Sequence, residues 1–161
     1  MNFTFKCDEN LIKISERLKE IYAFEINDSG IPVYAVCGDK VGATYKDGVA
    51  TIYYKQKHHF FRELGVLIQN LKNNMEFEIF EDSHFKTMGV MIDTSRCGVP
   101  RVSAINKMID YLAAMGYNMV MLYTEDTVEL KNYPYFGICV ADTQRKNLKV
   151  LMIMRLNTGL K

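Results

Sequence analysis

The chain has 161 residues, 48% of them apolar, and a formal net charge of +1. That length admits one domain or two small ones, and a near-neutral balance without a basic patch or acidic tail argues against nucleic acid as a partner. No apolar run approaches the roughly 20 residues that cross a bilayer, and no charged-then-apolar leader opens the sequence, so no membrane partner and a cytoplasmic chain are expected. The four cysteines, Cys7, Cys37, Cys97 and Cys139, stand far apart without a CxxC pair. Reduced thiols are their expected state.

Residues 8–24 carry Leu11, Ile14, Leu18, Ile21 and Tyr22 at helical spacing, with Asp8 or Asn10 as the N-cap. Ile31–Cys37 reads as a strand closed by Gly38-Asp39. Val41–Lys46 and Val49–Lys55 pair as a hairpin around Asp47-Gly48, a favoured type I′ turn. A second helix has the stripe Phe60, Phe61, Leu64, Leu67, Ile68 and Leu71, and Met75–Phe80 returns as a strand. Helix, three strands, helix and strand outline a small α+β layer with its helices on one face of a sheet. The polar run Glu81-Asp82-Ser83-His84 then marks a boundary, giving a first domain at 1–84.

Residues 85–137 have a different grammar. Met88–Ile92 is an apolar run without alternation, which suits a strand buried on both faces. It ends abruptly in Asp93-Thr94-Ser95-Arg96. Beyond Pro100, Val102, Ile105, Met108, Ile109 and Leu112 form one helical face, and Gly116 stands where a C-cap is expected. Met119–Tyr123 is a second apolar strand, ending in Thr124-Glu125-Asp126. Strand, helix and strand make a right-handed βαβ unit with parallel strands. Arg96 and the Glu125-Asp126 pair therefore belong to the carboxyl-end rim of the sheet, where α/β folds bind ligands.

Other chemistry is sparse. His58-His59 opens a helix, where adjacent side chains point to different faces and do not chelate together. Arg62-Glu63 reads as a solvated helix face. Tyr123, Tyr133, Tyr135 and Phe136 suit either stacking on a sugar or packing at a strand end. No nucleophile–base pair, phosphate loop or metal cluster is apparent, so neither a metal nor another cofactor is expected. For Arg96 the residues alone leave two roles open: recognition of a ligand, or an ion pair with Asp93 or Glu125.

The stretch MGVMIDTSRCGVPRVSAINKMIDYLAAMGYNMVMLYTEDTVELKNYPYFG resembles the opening of the catalytic barrel in the β-N-acetylhexosaminidases, glycoside hydrolase family 20. KHHFFRELGVLIQNL and its flanking strands resemble the non-catalytic domain that precedes that barrel, so the likeness covers about residues 30–137. The resemblance implies an α/β chain: a small α+β sandwich domain, then the first two βα units of an incomplete (β/α)8 TIM barrel. It implies that Arg96 hydrogen-bonds the hydroxyls of a terminal N-acetylhexosamine, a task that suits the fixed donor fork of a guanidinium. Asp93, Glu125 and Asp126 become rim groups that hold loops or line the sugar site. The partner implied is a glycan ending in N-acetylglucosamine or N-acetylgalactosamine. Family members cleave such ends with retention, using the substrate's own acetamide as nucleophile. Their Asp-Glu pair lies at the fourth barrel strand, and the Glu125-Asp126 order at the second strand does not match it. No catalytic residue is therefore expected in this chain.

The resemblance stops at Gly137. Codons chosen for Ile138 onward as ATA TGC GTG GCA GAT ACA CAA AGA AAG AAT, followed by a Leu148 codon beginning TT and read two bases later, spell MRGRYTKKEF, close to the family's continuation. Residues 138–161 are accordingly expected to be an out-of-frame tail before a premature stop, with Val150–Leu156 a short strand or extension. The nucleotide sequence tests this. With two of eight strands, the expected fragment has unpaired edges and self-associates through them. The alternative reading is a stand-alone carbohydrate- or protein-binding module without catalysis.

Overall fold

A strand, not a helix, begins the chain. In the computed structural model, which describes residues 1–73, 75–95, 100–124 and 132–133, β1 (Asn2–Lys6) inserts Phe3 and Phe5 into the core while its alternate residues face outward. The expected helix follows as α1 (Glu9–Tyr22), with the Asp8 side chain accepting from the Asn10 amide at 2.8 Å. It ends at Ala23, whose φ of 55° turns the chain into β2 (Glu25–Ile26). Then come β3 (Ile31–Cys37), β4 (Gly42–Lys46) and β5 (Val49–Tyr54). Asp47 and Gly48 both take positive φ, as a type I′ hairpin requires. Helix α2 (Lys57–Leu71) and β6 (Phe77–Phe80) complete the first layer.

The six strands form one mixed sheet in the order β2-β1-β3-β5-β4-β6. β1, β3 and β5 run parallel, and β4 runs antiparallel to both β5 and β6. The sequence reading missed β1 and β2, and with them a βαβ crossover through α1. Two elements of five and two residues offer too little periodicity to stand out. Leu11, Ile14 and Leu18 of α1 join Phe60, Phe61, Leu64 and Leu67 of α2 in a core closed from below by Phe3, Val33, Ala43, Ala50 and Ile52.

The connection 81–88 leads to a second, two-stranded parallel sheet, β7 (Gly89–Asp93) and β8 (Met119–Tyr123), in register from Gly89↔Met119 to Asp93↔Tyr123. Helix α3 (Val102–Ala114) joins them and stops at Gly116, whose φ is +81°. The Tyr117 amide donates to the Leu112 carbonyl at 2.9 Å, closing that C-cap. One face of α3 covers the small sheet, where Ile105 and Ile109 meet Tyr117, Val120 and Leu122. Its carboxyl-terminal half instead joins the first core through Ala113 and Ala114. The expectation that these strands are buried on both faces fails: Met91 is 63% and Met121 47% exposed, on the side away from α3. Their apolar character answers to a surface that nothing among the described residues covers.

Two polar contacts hold the layers together. The Tyr22 hydroxyl lies 2.7 Å from the Ala114 carbonyl and 3.1 Å from the Phe61 carbonyl, and Arg17 pairs with Asp110. Asn118, nearly fully buried, donates from Nδ2 to the Lys86 carbonyl and accepts the Met88 amide at Oδ1, both at 2.9 Å. That one amide fixes the entry to β7 against the start of β8. Asn118→Ala is expected to destabilise the chain by about 1 to 2 kcal/mol, because it removes two part-buried hydrogen bonds, to the Met88 amide and the Lys86 carbonyl. Urea unfolding monitored by circular dichroism checks this.

Candidate functional site

The rim at the carboxyl ends of β7 and β8 is built by short polar bonds. Thr94 donates both its amide and its hydroxyl to the Tyr123 carbonyl, at 2.8 and 2.9 Å, extending the sheet by one residue. Asp93 Oδ1 accepts the Ser95 amide at 2.8 Å and the Ser95 hydroxyl at 2.6 Å. This local side-chain-to-backbone turn bends the chain away from the strand. Thr94 and Ser95 are buried beneath it. Asp93 thus shapes the segment that leads directly to Arg96, and one of its oxygens is committed to that task. Across the rim, Thr124 leads directly to Glu125.

Arg96, Cys97, Glu125, Asp126, Tyr135, Phe136 and Cys139 lie outside the described residues, as does the tail 138–161. Of the expected rim groups, Asp93 alone can be placed. Tyr123 and Tyr133 are both largely exposed. The expected parallel register does bring the segments that precede Arg96 and Glu125 together, since Asp93 pairs with Tyr123.

A second group of polar residues gathers where the sequence promised none. His58 is buried, and its ring lies 4.1 Å from that of His59, although neighbouring helical positions were expected to diverge. The first helical turn explains the approach: His59 Nδ1 turns back to accept the Gln56 amide at 3.2 Å. Burial, reinforced by Lys55, lowers the His59 pKa. Arg62 forks onto both oxygens of Glu81 at 2.7 Å, and that fork holds Glu81 below the usual carboxylate range. Glu63, expected on a solvated face, has no exposed surface at all. Both its carboxyl oxygens are buried, and the group the carboxyl meets is that of Glu81, to which the protonated acid can donate. Burial first, then the Glu81 charge and a hydrogen bond to the Glu81 carboxylate, push its pKa up to about 8. These groups line a cavity of about 350 Å³ between α2, the 81–88 connection and the α3–β8 turn. Among the described residues no cluster of histidine, cysteine or carboxylate groups is arranged to hold a metal ion.

The architecture has counterparts among solved structures. An inactive mutant of the GH20 exo-β-N-acetylglucosaminidase from Vibrio harveyi superimposes with a TM-score of 0.72, at 16% identity, over 99% of this chain and 32% of its own. The GH20 β-N-acetylhexosaminidase of Streptomyces coelicolor A3(2) gives 0.67 at 12% identity, over 99% of this chain and 40% of its own. The β-N-acetylhexosaminidase of Bacteroides fragilis gives 0.66 at 16% identity, over 100% and 39%. This is the fold of part of a family 20 glycoside hydrolase. The chain spans roughly a third of the length of these family 20 structures. A GH138 enzyme targeting pectin rhamnogalacturonan II also superimposes, with a TM-score of 0.60 at 13% identity over 24% of its length, so the family 20 fold does not by itself fix the sugar. No family model and no curated protein matches the sequence.

Proposed function

We propose that this chain is the opening portion of a β-N-acetylhexosaminidase architecture, in which β7, α3 and β8 begin a (β/α)8 barrel and Arg96 binds the terminal N-acetylhexosamine of a glycan. One observation carries the reading: Thr94 ties its strand end to Tyr123, so the segments entering Arg96 and Glu125 start from one rim of a parallel sheet. Ligands of such sheets bind at that rim. A guanidinium there supplies forked donors for neighbouring sugar hydroxyls.

Binding without turnover is the activity that follows. In family 20 members an Asp-Glu pair orients the acetamide and donates the proton to the leaving oxygen. The sequence's single Asp-Glu dipeptide, Asp8-Glu9, caps α1 in the other layer. Titration with N-acetylglucosamine is expected to shift the amide resonances of residues 93–95 and 123–124. Arg96→Ala is expected to weaken that binding about ten- to a hundredfold, the worth of hydrogen bonds from a charged donor. An unchanged titration in the variant would remove Arg96 from the site, and release of chromophore from an N-acetylglucosaminide would refute the lack of turnover.

The open side of β7 and β8 favours a second, compatible role in association. Met91, Met121 and Tyr123 form an exposed apolar strip, and strips of this kind pack against protein. Self-association that strengthens with concentration in sedimentation, and that Met91→Lys weakens, is the expected signature.

A further inference from the structure

We infer that Glu63, Glu81 and Arg62 form a proton-operated latch that seats the 81–88 connection on α2, closed while Glu63 is protonated and released when it ionises. The latch does not involve Arg96 or the sugar rim. Glu63 lies on α2 without exposed surface, and its carboxyl meets that of Glu81, the first residue of the connection. Arg62 forks onto both Glu81 oxygens at 2.7 Å. Two carboxyl groups in such contact share one proton, because a second buried negative charge beside the first is strongly disfavoured. The protonated Glu63 donates to the Glu81 carboxylate, and Arg62 balances the charge that remains.

These three side chains stand where the two layers meet. The Glu81 amide donates to the Val41 carbonyl at 2.9 Å, which keeps its backbone on the first sheet while its side chain reaches α2. Arg62 also packs against the α3–β8 turn, where a Cβ on Gly116 would come 3.0 Å from Arg62 Cδ. At the far end of the connection Asn118 holds the Lys86 carbonyl and the Met88 amide. The fork and Asn118 thus grip the connection at its two ends.

Ionisation of Glu63 sends one proton to solvent and leaves two carboxylates competing for one guanidinium. Glu63 is enclosed, whereas the Glu81 side chain is 33% exposed. Arg62 therefore turns to Glu63, and Glu81 swings out to water. Of the other groups around Glu63, burial lowers the His59 pKa and pushes that of Tyr22 on α1 up to about 12, so both stay neutral from pH 7 to 9. His58 of α2 and Asp82 and His84 of the connection border the same cavity, and from the α3–β8 turn come the neutral Gly116 and Asn118. Burial, and then Glu81, raise the Glu63 pKa to about 8. The ionised fraction accordingly grows close to tenfold between pH 7 and 9.

Two measurements test the latch. Side-chain carboxyl carbons followed by NMR should show Glu63 and Glu81 moving together, with a midpoint at about pH 8. Trypsin cleavage after Lys86, whose carbonyl Asn118 holds, should quicken close to tenfold from pH 7 to 9 in the parent relative to Glu63→Gln. In that variant the side-chain amide donates to Glu81 at every pH, so the ratio cancels the protease's own pH dependence. Glu81→Gln, which removes the charge that Arg62 grips, should be cut fast at both pH values. Equal cleavage of parent and Glu63→Gln at pH 9, a Glu81 carbon that stays still while Glu63 titrates, or Glu81→Gln cut as slowly as the parent at pH 7 would each overturn the latch. None of these readouts involves a saccharide, so the latch and the Arg96 titration stand or fall separately.

Discussion

Native-state hydrogen exchange is expected to resolve two stabilities in this chain, with amides of β3 and β5 protected roughly a thousandfold more than those of β7 and β8, a gap of about 4 kcal/mol. The reason is how each sheet is covered. β3 and β5 are interior strands of the six-stranded sheet and lie under α1 and α2. Among the described residues, β7 and β8 have one strand partner each and an open apolar face, with Ile105 and Ile109 the buried residues of their cluster. Such a pair opens locally without unfolding the rest. The carboxyl-terminal half of α3 should behave with the first layer, because Ala113 and Ala114 belong to that core and Ala114 is bonded to Tyr22. A boundary of protection therefore runs through α3. Equal protection of β5 and β8 amides would contradict the two-stability picture.

The second large effect concerns pH. Glu63 has its folded-state pKa raised from an ordinary 4.5 to about 8. A raised carboxyl pKa means that the folded chain holds the proton more tightly than the unfolded chain does. The stability it contributes is present in full below about pH 4.5, is lost as pH rises toward 8, and changes no further above that. The slope approaches roughly 1.4 kcal/mol per pH unit within the window. Glu81, held low by Arg62, acts in the opposite direction but only under acid conditions. Glu63→Gln removes the titrating group while keeping its shape. The variant is expected to melt several degrees above the parent at pH 9 and close to it at pH 5. Parallel melting curves for the two proteins across that range would show that Glu63 does not titrate there.

Much of the first layer was legible because its signals are local. Asp47-Gly48 announces the hairpin by backbone preference alone, and the bounds of β3 and β8 coincide with apolar runs bracketed by polar residues. The βαβ order of β7, α3 and β8 followed from the switch in period, and Gly116 ended the helix where its φ demanded glycine. What escaped notice depends on distant partners. β1 has meaning only beside β3, which lies beyond α1 in the sequence. Glu63 looks solvated next to Arg62, since a charged pair on a helix usually is. The packing of β6, the 81–88 connection and α3 around α2 reverses that, and no local pattern announces it. At the rim, Asp93 was rightly placed at the strand end, but its commitment to Ser95 could be seen only in the folded chain.

The hydroxyl of Tyr22 is made early in synthesis, and one of its two acceptors is made late. The Phe61 carbonyl lies 39 residues downstream and the Ala114 carbonyl 92. As the polypeptide emerges, α1 and α2 can close over the sheet with that side chain already anchored to Phe61, before any of α3 exists. When α3 arrives it meets a finished surface with a phenol oriented to receive its last turn. The later layer is thus templated by the earlier one.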